Sequence, residues 1–114
     1  MIDDELDICV MVAKHLRDVH FETDYALTVK EGRSKIAASP YELILLDLNL
    51  TDGTGYDIMS FLKESNSDSK IIVISAYDHE MTDVLKKGAD AFIGKPFTLK
   101  AVSNTLRSLN LLPG

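Results

Sequence analysis

The chain is short of the residues that would announce several common chemistries. It holds a single cysteine, Cys9, in 114 residues, so it cannot close an internal disulfide. No stretch approaches the ~18 consecutive apolar residues of a membrane span, and no signal-peptide pattern opens it. A reducing cytoplasm is therefore the expected compartment. Basic residues are outnumbered, 12 against 18 acidic, and the net charge of -6 disfavours nonspecific binding to nucleic acid or a membrane surface. Neither is expected as a direct partner. There is no repeat, no low-complexity segment and no linker; Pro40 and the glycines sit singly at joints. With 46% hydrophobic and 26% charged residues, the chain reads as one ordinary globular domain spanning 1–114.

What is present is alternation. Residues 6–19 place Ile8, Cys9, Val12, Ala13 and Leu16 at spacings of three and four, which predicts a helix with a broad apolar face and packs Cys9 inside it. Residues 21–27 read as a weak strand, and 28–39 as a polar helix that stops before Pro40. Leu43, Ile44, Leu45 and Leu46 form a continuous apolar run, the mark of a strand covered on both faces. A helix over 56–64 follows, then a second such strand in "KIIVISAY", 70–77. A short helix over 79–87 ends at Gly88, and "ADAFIGKPF", 89–97, is the next strand before a closing helix over 98–109. Strands alternating with helices imply parallel βαβ units and a doubly wound α/β sheet.

In such a sheet the ligand crevice lies outside the C-terminal strand ends. The residues leaving those ends are Asp3 and Asp4 after Ile2, Asp47 after the leucine run, Ser75 after Ile74, and Lys95 after Ile93. On its own stretch Asp47 is equally a helix cap or turn residue. Taken together the set is one constellation of three carboxylates, a hydroxyl and an ammonium group. Clustered carboxylates repel unless a cation sits among them, and hard oxygen ligands suit Mg2+. Mg2+ beside a free carboxylate, an amine and a hydroxyl is what phosphoryl transfer requires, with Asp47 as the nucleophile.

These residues resemble the receiver domain of two-component response regulators, over nearly the whole chain. The matching features are the "DDE" acid pair Asp3 and Asp4, "LILLDLNL" around Asp47, Gly55 eight residues on, "VISAY" with Ser75 and Ala76, "GADAF" with Phe92, and "KPF" with Lys95. The resemblance implies a five-stranded flavodoxin-like sheet in the order 2-1-3-4-5 and an aspartyl-phosphate at Asp47, supplied by a sensor histidine kinase or a phosphotransfer protein. It implies that Asp4 and Asp47 ligate Mg2+ directly, with Asp3 helping through water and Asn49 offering its backbone carbonyl. Lys95 pairs with the phosphoryl oxygens, and Lys95-Pro96 is a cis peptide. Ser75 and Phe92 are the switch residues, while Asn49 and Tyr77 modulate the lifetime of the phosphoryl group. The domain then acts as a regulatory phosphoacceptor and not as an enzyme on other substrates. Reversing a 1:99 equilibrium takes about 5.5 kcal/mol of differential binding, so one hydroxyl and one amine are expected to give a partial bias that a downstream effector or output domain completes on the 79–109 face. A homodimer is also compatible.

Three departures from the family pattern stand out. Only Met1 and Ile2 precede Asp3, so the first strand is expected to be truncated, the sequence beginning inside it; were the chain complete as it stands, poor folding and weak Mg2+ binding should follow. Ser75 and Lys95 are 20 residues apart, slightly close for the family, which places a shortfall at the 79–87 helix. Thr51 stands where proline is common. Two other functions fit part of this pattern. "DLNLT", 47–51, resembles the nucleophile motif of haloacid dehalogenase-type phosphatases, but Asn49 replaces their second acid and no Asp or Glu follows Asp90. A phosphorylation-independent interaction or dimerisation module is the second alternative, against which the intact acid, hydroxyl and lysine set argues. His15, His20 and His79 share no ligand spacing and read as solvated surface residues.

Overall fold

The two continuous apolar runs become strands because each is covered on both faces. The computed structural model describes residues 1–113. In it β1 (Leu43–Asp47) pairs in parallel with β4 (Lys70–Ser75), which pairs in parallel with β5 (Ala91–Gly94). Alternation splits the runs between two cores. Ile44, Leu46, Ile71 and Val73 pack with Ile58, Met59, Leu62 and Val84 on one side, under α3 (Gly55–Glu64) and α4 (Met81–Lys86). Leu45, Ile72 and Ile74 pack with Val12, Leu16, Val102 and Leu106 on the other, under α1 (Leu6–Asp18) and α5 (Leu99–Ser108). Each buried Leu or Ile contributes about 1.5–3 kcal/mol, so this double covering holds the sheet together.

The expected five-strand order is present, but two of its members are reduced to single bridges. Ile2 bridges Leu46 on one side and Ala26 on the other, both in parallel, which places the segments in the order Ala26, Ile2, β1, β4, β5. The Ile2 N–H donates to the Leu45 carbonyl at 2.8 Å, and the Asp47 N–H donates to the Ile2 carbonyl at 2.9 Å. The strand expected over 21–27 is therefore confined to Ala26, because Ile2 and its neighbours give the rest of it no continuous edge to pair with. Beside this bridge lies a cavity of about 600 Å³ lined by Met1, Leu16, Phe21, Thr23, Tyr41 and Leu43.

Helix boundaries follow their local signals. Thr28 accepts from the Glu31 N–H at 3.1 Å and starts α2 (Val29–Ala38), which ends at an extended Ser39 ahead of Pro40. The helix expected over 79–87 is a 3-10 turn, Asp78–Glu80, followed by six residues of α4. Gly88 leaves α4 with φ of +109°, a conformation open mainly to glycine. A small antiparallel hairpin that no periodicity marks, β2 (Asn49–Leu50) with β3 (Gly53–Thr54), follows directly after β1. Among the described residues, no helix is long and apolar enough to cross a membrane.

Candidate functional site

The strand ends do converge. β1 delivers Asp47, the Ile2 bridge delivers Asp3 and Asp4, and the chain leaving β5 delivers Lys95. Asp3 is fully buried and Asp47 is 4% exposed, while Asp4 faces solvent. Each of the three offers an oxygen, and these oxygens lie within 4.8 Å of one another; among the described residues they are the group placed to hold a metal. Oxygens bound to one Mg2+ lie about 3–4 Å apart, so a small inward movement would converge them, and an all-carboxylate donor set matches that hard cation.

Lys95 binds this cluster together. Its Nζ is 3.1 Å from Asp3 Oδ2, 3.2 Å from Asp47 Oδ2 and 3.4 Å from Glu5 Oε1. Burial disfavours its charge, but hydrogen bonding to Asp3 and the charges of Asp47 and Asp3 outweigh that and hold its pKa above the ordinary lysine value. Asp47 is shifted upward too. Burial is the largest cause and the Asp3 charge adds to it, against the opposing pull of the Asn49 N–H and Lys95. A carboxylate whose ionised form is under-compensated has a nucleophilic oxygen and room for a further cation.

The loop after Asp47 is shaped around that side chain. The Asn49 N–H donates to Asp47 Oδ1 at 3.2 Å, so Asn49 acts on the cluster through its backbone while its side chain is exposed. Gly55 lies so near that a Cβ there would stand 2.6 Å from the Asp47 carbonyl oxygen and 3.1 Å from Leu48 Cα. Only glycine fits this approach. Asp52 belongs elsewhere: its two oxygens accept from the Val29 and Lys30 N–H groups at 2.7 and 3.1 Å and cap α2. The helix-cap alternative once open for Asp47 is thus realised five residues later.

Ser75 and its neighbours are positioned differently. Ser75 is fully buried at the end of β4, paired with Gly94, and its Oγ donates to Glu80 Oε1 at 2.7 Å while accepting from the Tyr77 N–H at 3.1 Å. Its contacts point to the α4 loop. Phe92 is half-buried in β5 opposite Val73 and packs against the α3 and α4 core. Tyr77 is 52% exposed, its ring 5.8 Å from that of His79. The Lys95–Pro96 peptide is cis. Cys9 is buried against the Asp3 carbonyl at 3.3 Å, and burial pushes its thiol up to about 11, as suits a packing residue. His15 meets Ser103 at 2.7 Å between α1 and α5 and is part-buried there, so it is not the solvated surface residue expected, whereas His20 and His79 are exposed. Sequence reasoning assigned no part to Glu5 or Glu80. Glu5 carries a weak signal, standing next to the acid pair, whereas Glu80 is brought to Ser75 only by the 3-10 turn.

Comparison with known proteins decides the family. The profile of the response regulator receiver domain matches residues 1–107. The chain belongs to the receiver domain family of response regulators. The response regulator PilR of Pseudomonas aeruginosa is 33% identical over 96% of this chain, and the photosynthetic apparatus regulatory protein RegA of Rhodovulum sulfidophilum is 32% identical over 95%. This receiver covers 26% of PilR and 60% of RegA, less than two thirds of either relative. Among solved structures, Thermotoga maritima response regulator TrrA in complex with Mg2+ and BeF superposes with a TM-score of 0.84 at 26% identity, covering 95% of this chain and 94% of that one. The receiver domain of Francisella response regulator 1452 gives 0.87 at 24% identity, over 95% and 91%, a likeness of fold. The receiver is accordingly a signalling domain of the two-component type, with the flavodoxin-like architecture.

Proposed function

We propose that residues 1–114 act as one phosphoacceptor unit in which Asp47 takes a phosphoryl group from a phosphohistidine on a sensor histidine kinase or phosphotransfer protein. An Asp47 oxygen attacks phosphorus, the new O–P bond forms as the donor's P–N bond breaks, and the histidine nitrogen keeps the electron pair. Lys95 stays within reach of the transferred oxygens and neutralises part of their charge. Asp3, Asp4 and Asp47, with the Asn49 carbonyl, would hold Mg2+, which when bound supplies the remaining neutralisation. The TrrA complex with Mg2+ and BeF, at 26% identity, supports that assignment. The domain catalyses no more than its own phosphorylation and dephosphorylation, with Asn49 and Tyr77 flanking the pocket to set how long the phosphoryl group survives.

Phosphorylation adds roughly -1.5 to -2 charge and three acceptor oxygens. Ser75 and Phe92 are the residues that respond, and the response spreads to the 79–109 face, where Tyr77, Met81 and Leu85 already expose apolar surface beside it. A downstream effector or output domain in the cytoplasm reads that face, in a monomer or a homodimer. The observation that carries this reading is the Lys95 ammonium held between Asp3 and Asp47 at 3.1 and 3.2 Å. The test is incubation with Mg2+ and acetyl phosphate followed by intact mass measurement beside Asp47→Asn. A single phosphoryl adduct that requires Mg2+ and is absent from the variant is expected; a folded wild-type domain that takes no adduct would favour the phosphorylation-independent module instead.

A further inference from the structure

A serine hydroxyl has one proton to donate, and in this structure the proton of Ser75 is committed. It goes to Glu80 Oε1 at 2.7 Å, a distance typical of a hydrogen bond to a charged acceptor. Glu80 is placed for this task and for little else. It stands at the start of α4 yet makes no side-chain capping bond there, although a helix N-terminus ordinarily attracts a carboxylate. It is half-buried while Ala76, Tyr77, Asp78 and His79 just before it are exposed, so the turn folds its side chain back over the end of β4. By alternation along β4, Ser75 shares the face of Ile71 and Val73, the face covered by α3 and α4. The serine and the start of α4 are thus joined through a single hydroxyl proton.

We propose that Glu80 is an autoinhibitory latch: its carboxylate holds Ser75 toward α4 and competes with a phosphoryl group on Asp47 for the same hydroxyl. Glu80 is a positioning residue, since it acts through Ser75 and touches none of the reacting atoms. This rests on the phosphoacceptor reading above and adds its off state. When Ser75 turns to the phosphoryl oxygens, the Glu80 contact breaks and the start of α4 loses its tie to the sheet. The cost of breaking that bond lowers the apparent affinity of the pocket for any phosphoryl mimic, because only the released fraction of molecules is competent.

The test is the dissociation constant of beryllofluoride in the presence of Mg2+, measured for wild type, Glu80→Ala, Glu80→Gln, Ser75→Ala and the Ser75→Ala/Glu80→Ala pair. Glu80→Ala should tighten binding by about tenfold, the worth of one hydrogen bond to a charged acceptor. Glu80→Gln, which keeps an acceptor without the charge, should fall between. In the Ser75→Ala background the removal of Glu80 should change binding less than about twofold, which separates the latch from a general effect of removing negative charge. Without beryllofluoride, the Tyr77 amide, which donates to Ser75 Oγ, should exchange faster with solvent in Glu80→Ala than in wild type. Equal tightening in both backgrounds, or none in either, overturns the latch while leaving the phosphoacceptor reading intact. A wild-type domain that is folded and binds no beryllofluoride overturns both.

Discussion

The Lys95 ammonium lies 3.2 Å from Asp47 Oδ2, joining residues 48 apart in sequence, and the same nitrogen reaches the fully buried Asp3 at 3.1 Å. Removing one partner of a buried ion pair is more damaging than the pair is stabilising, since the remaining charge stays in a poorly solvated place. Lys95→Met should cost about 3 kcal/mol at neutral pH. The sign of the pH dependence follows from Asp47, whose pKa already lies above its ordinary 3.8 and would rise further without the cation. A raised carboxyl penalises the fold when ionised, so the penalty is present above the folded-state pKa and relieved as pH falls through it. Urea unfolding of variant and wild type at about pH 8 and about pH 5 should show the gap narrowing on the acid side.

Gly55 opens the second prediction, because its neighbours on one side are backbone. A Cβ there would sit 2.6 Å from the Asp47 carbonyl oxygen and 3.1 Å from both Leu46 Cγ and Leu48 Cα. Neither the carbonyl nor the Leu48 Cα can rotate aside as a flexible side-chain tip can. Gly55→Ala should therefore destabilise by about 1–3 kcal/mol, the usual range for overpacking, and should slow adduct formation by moving the β1 end that carries Asp47. Thermal unfolding and the rate of acetyl phosphate labelling check the two parts separately.

These residues show what the sequence could convey. The leucine run of β1 and the isoleucine run of β4 were legible because burial on both faces leaves no polar alternation, and Asp47, Ser75 and Lys95 were legible as breaks in such runs. The first two strands were harder to read, since a strand's length depends on its partner's edge and Ile2 offers one bridge on each side. The β2–β3 hairpin spans too few residues for any periodicity to register. Glu80 could not be found at all from spacing, because its contact with Ser75 depends on the 3-10 turn, and the capping role of Asp52 depends on Val29 and Lys30, 23 and 22 residues away in the sequence.

That capping role gives Asp52 its own pH signature. Hydrogen bonds from the Val29 and then the Lys30 N–H hold its carboxyl below the ordinary 3.8. A depressed carboxyl contributes stability that is present above the unfolded-state value and is lost as pH falls through the folded-state value. Asp24 and Asp83 are shifted the same way by Lys35 and Tyr56 respectively, so the wild-type acid limb alone does not isolate Asp52. The difference between wild type and Asp52→Ala does. Thermal midpoints taken from about pH 6 down to about pH 3 should start with the variant lower and converge toward the acid end.

Asp4 separates metal binding from folding. It is exposed beside two buried carboxylates and has no hydrogen bond or ion pair among the described residues, whereas Asp3 and Asp47 are both tied to Lys95. Its loss should therefore change the metal-free stability by no more than about 0.5 kcal/mol, as for an ordinary surface substitution. The metal-bound form should respond differently, since Asp4 completes the three-oxygen cluster. A ligand that binds only the folded state stabilises it by mass action, about 1.4 kcal/mol at ten times its dissociation constant. Wild type should show that rise in thermal midpoint on titration with MgCl2, and Asp4→Asn should need far more Mg2+ to show it. An identical titration for both proteins would remove Asp4 from the metal site, and a midpoint in wild type that ignores Mg2+ would remove the metal from the cluster altogether.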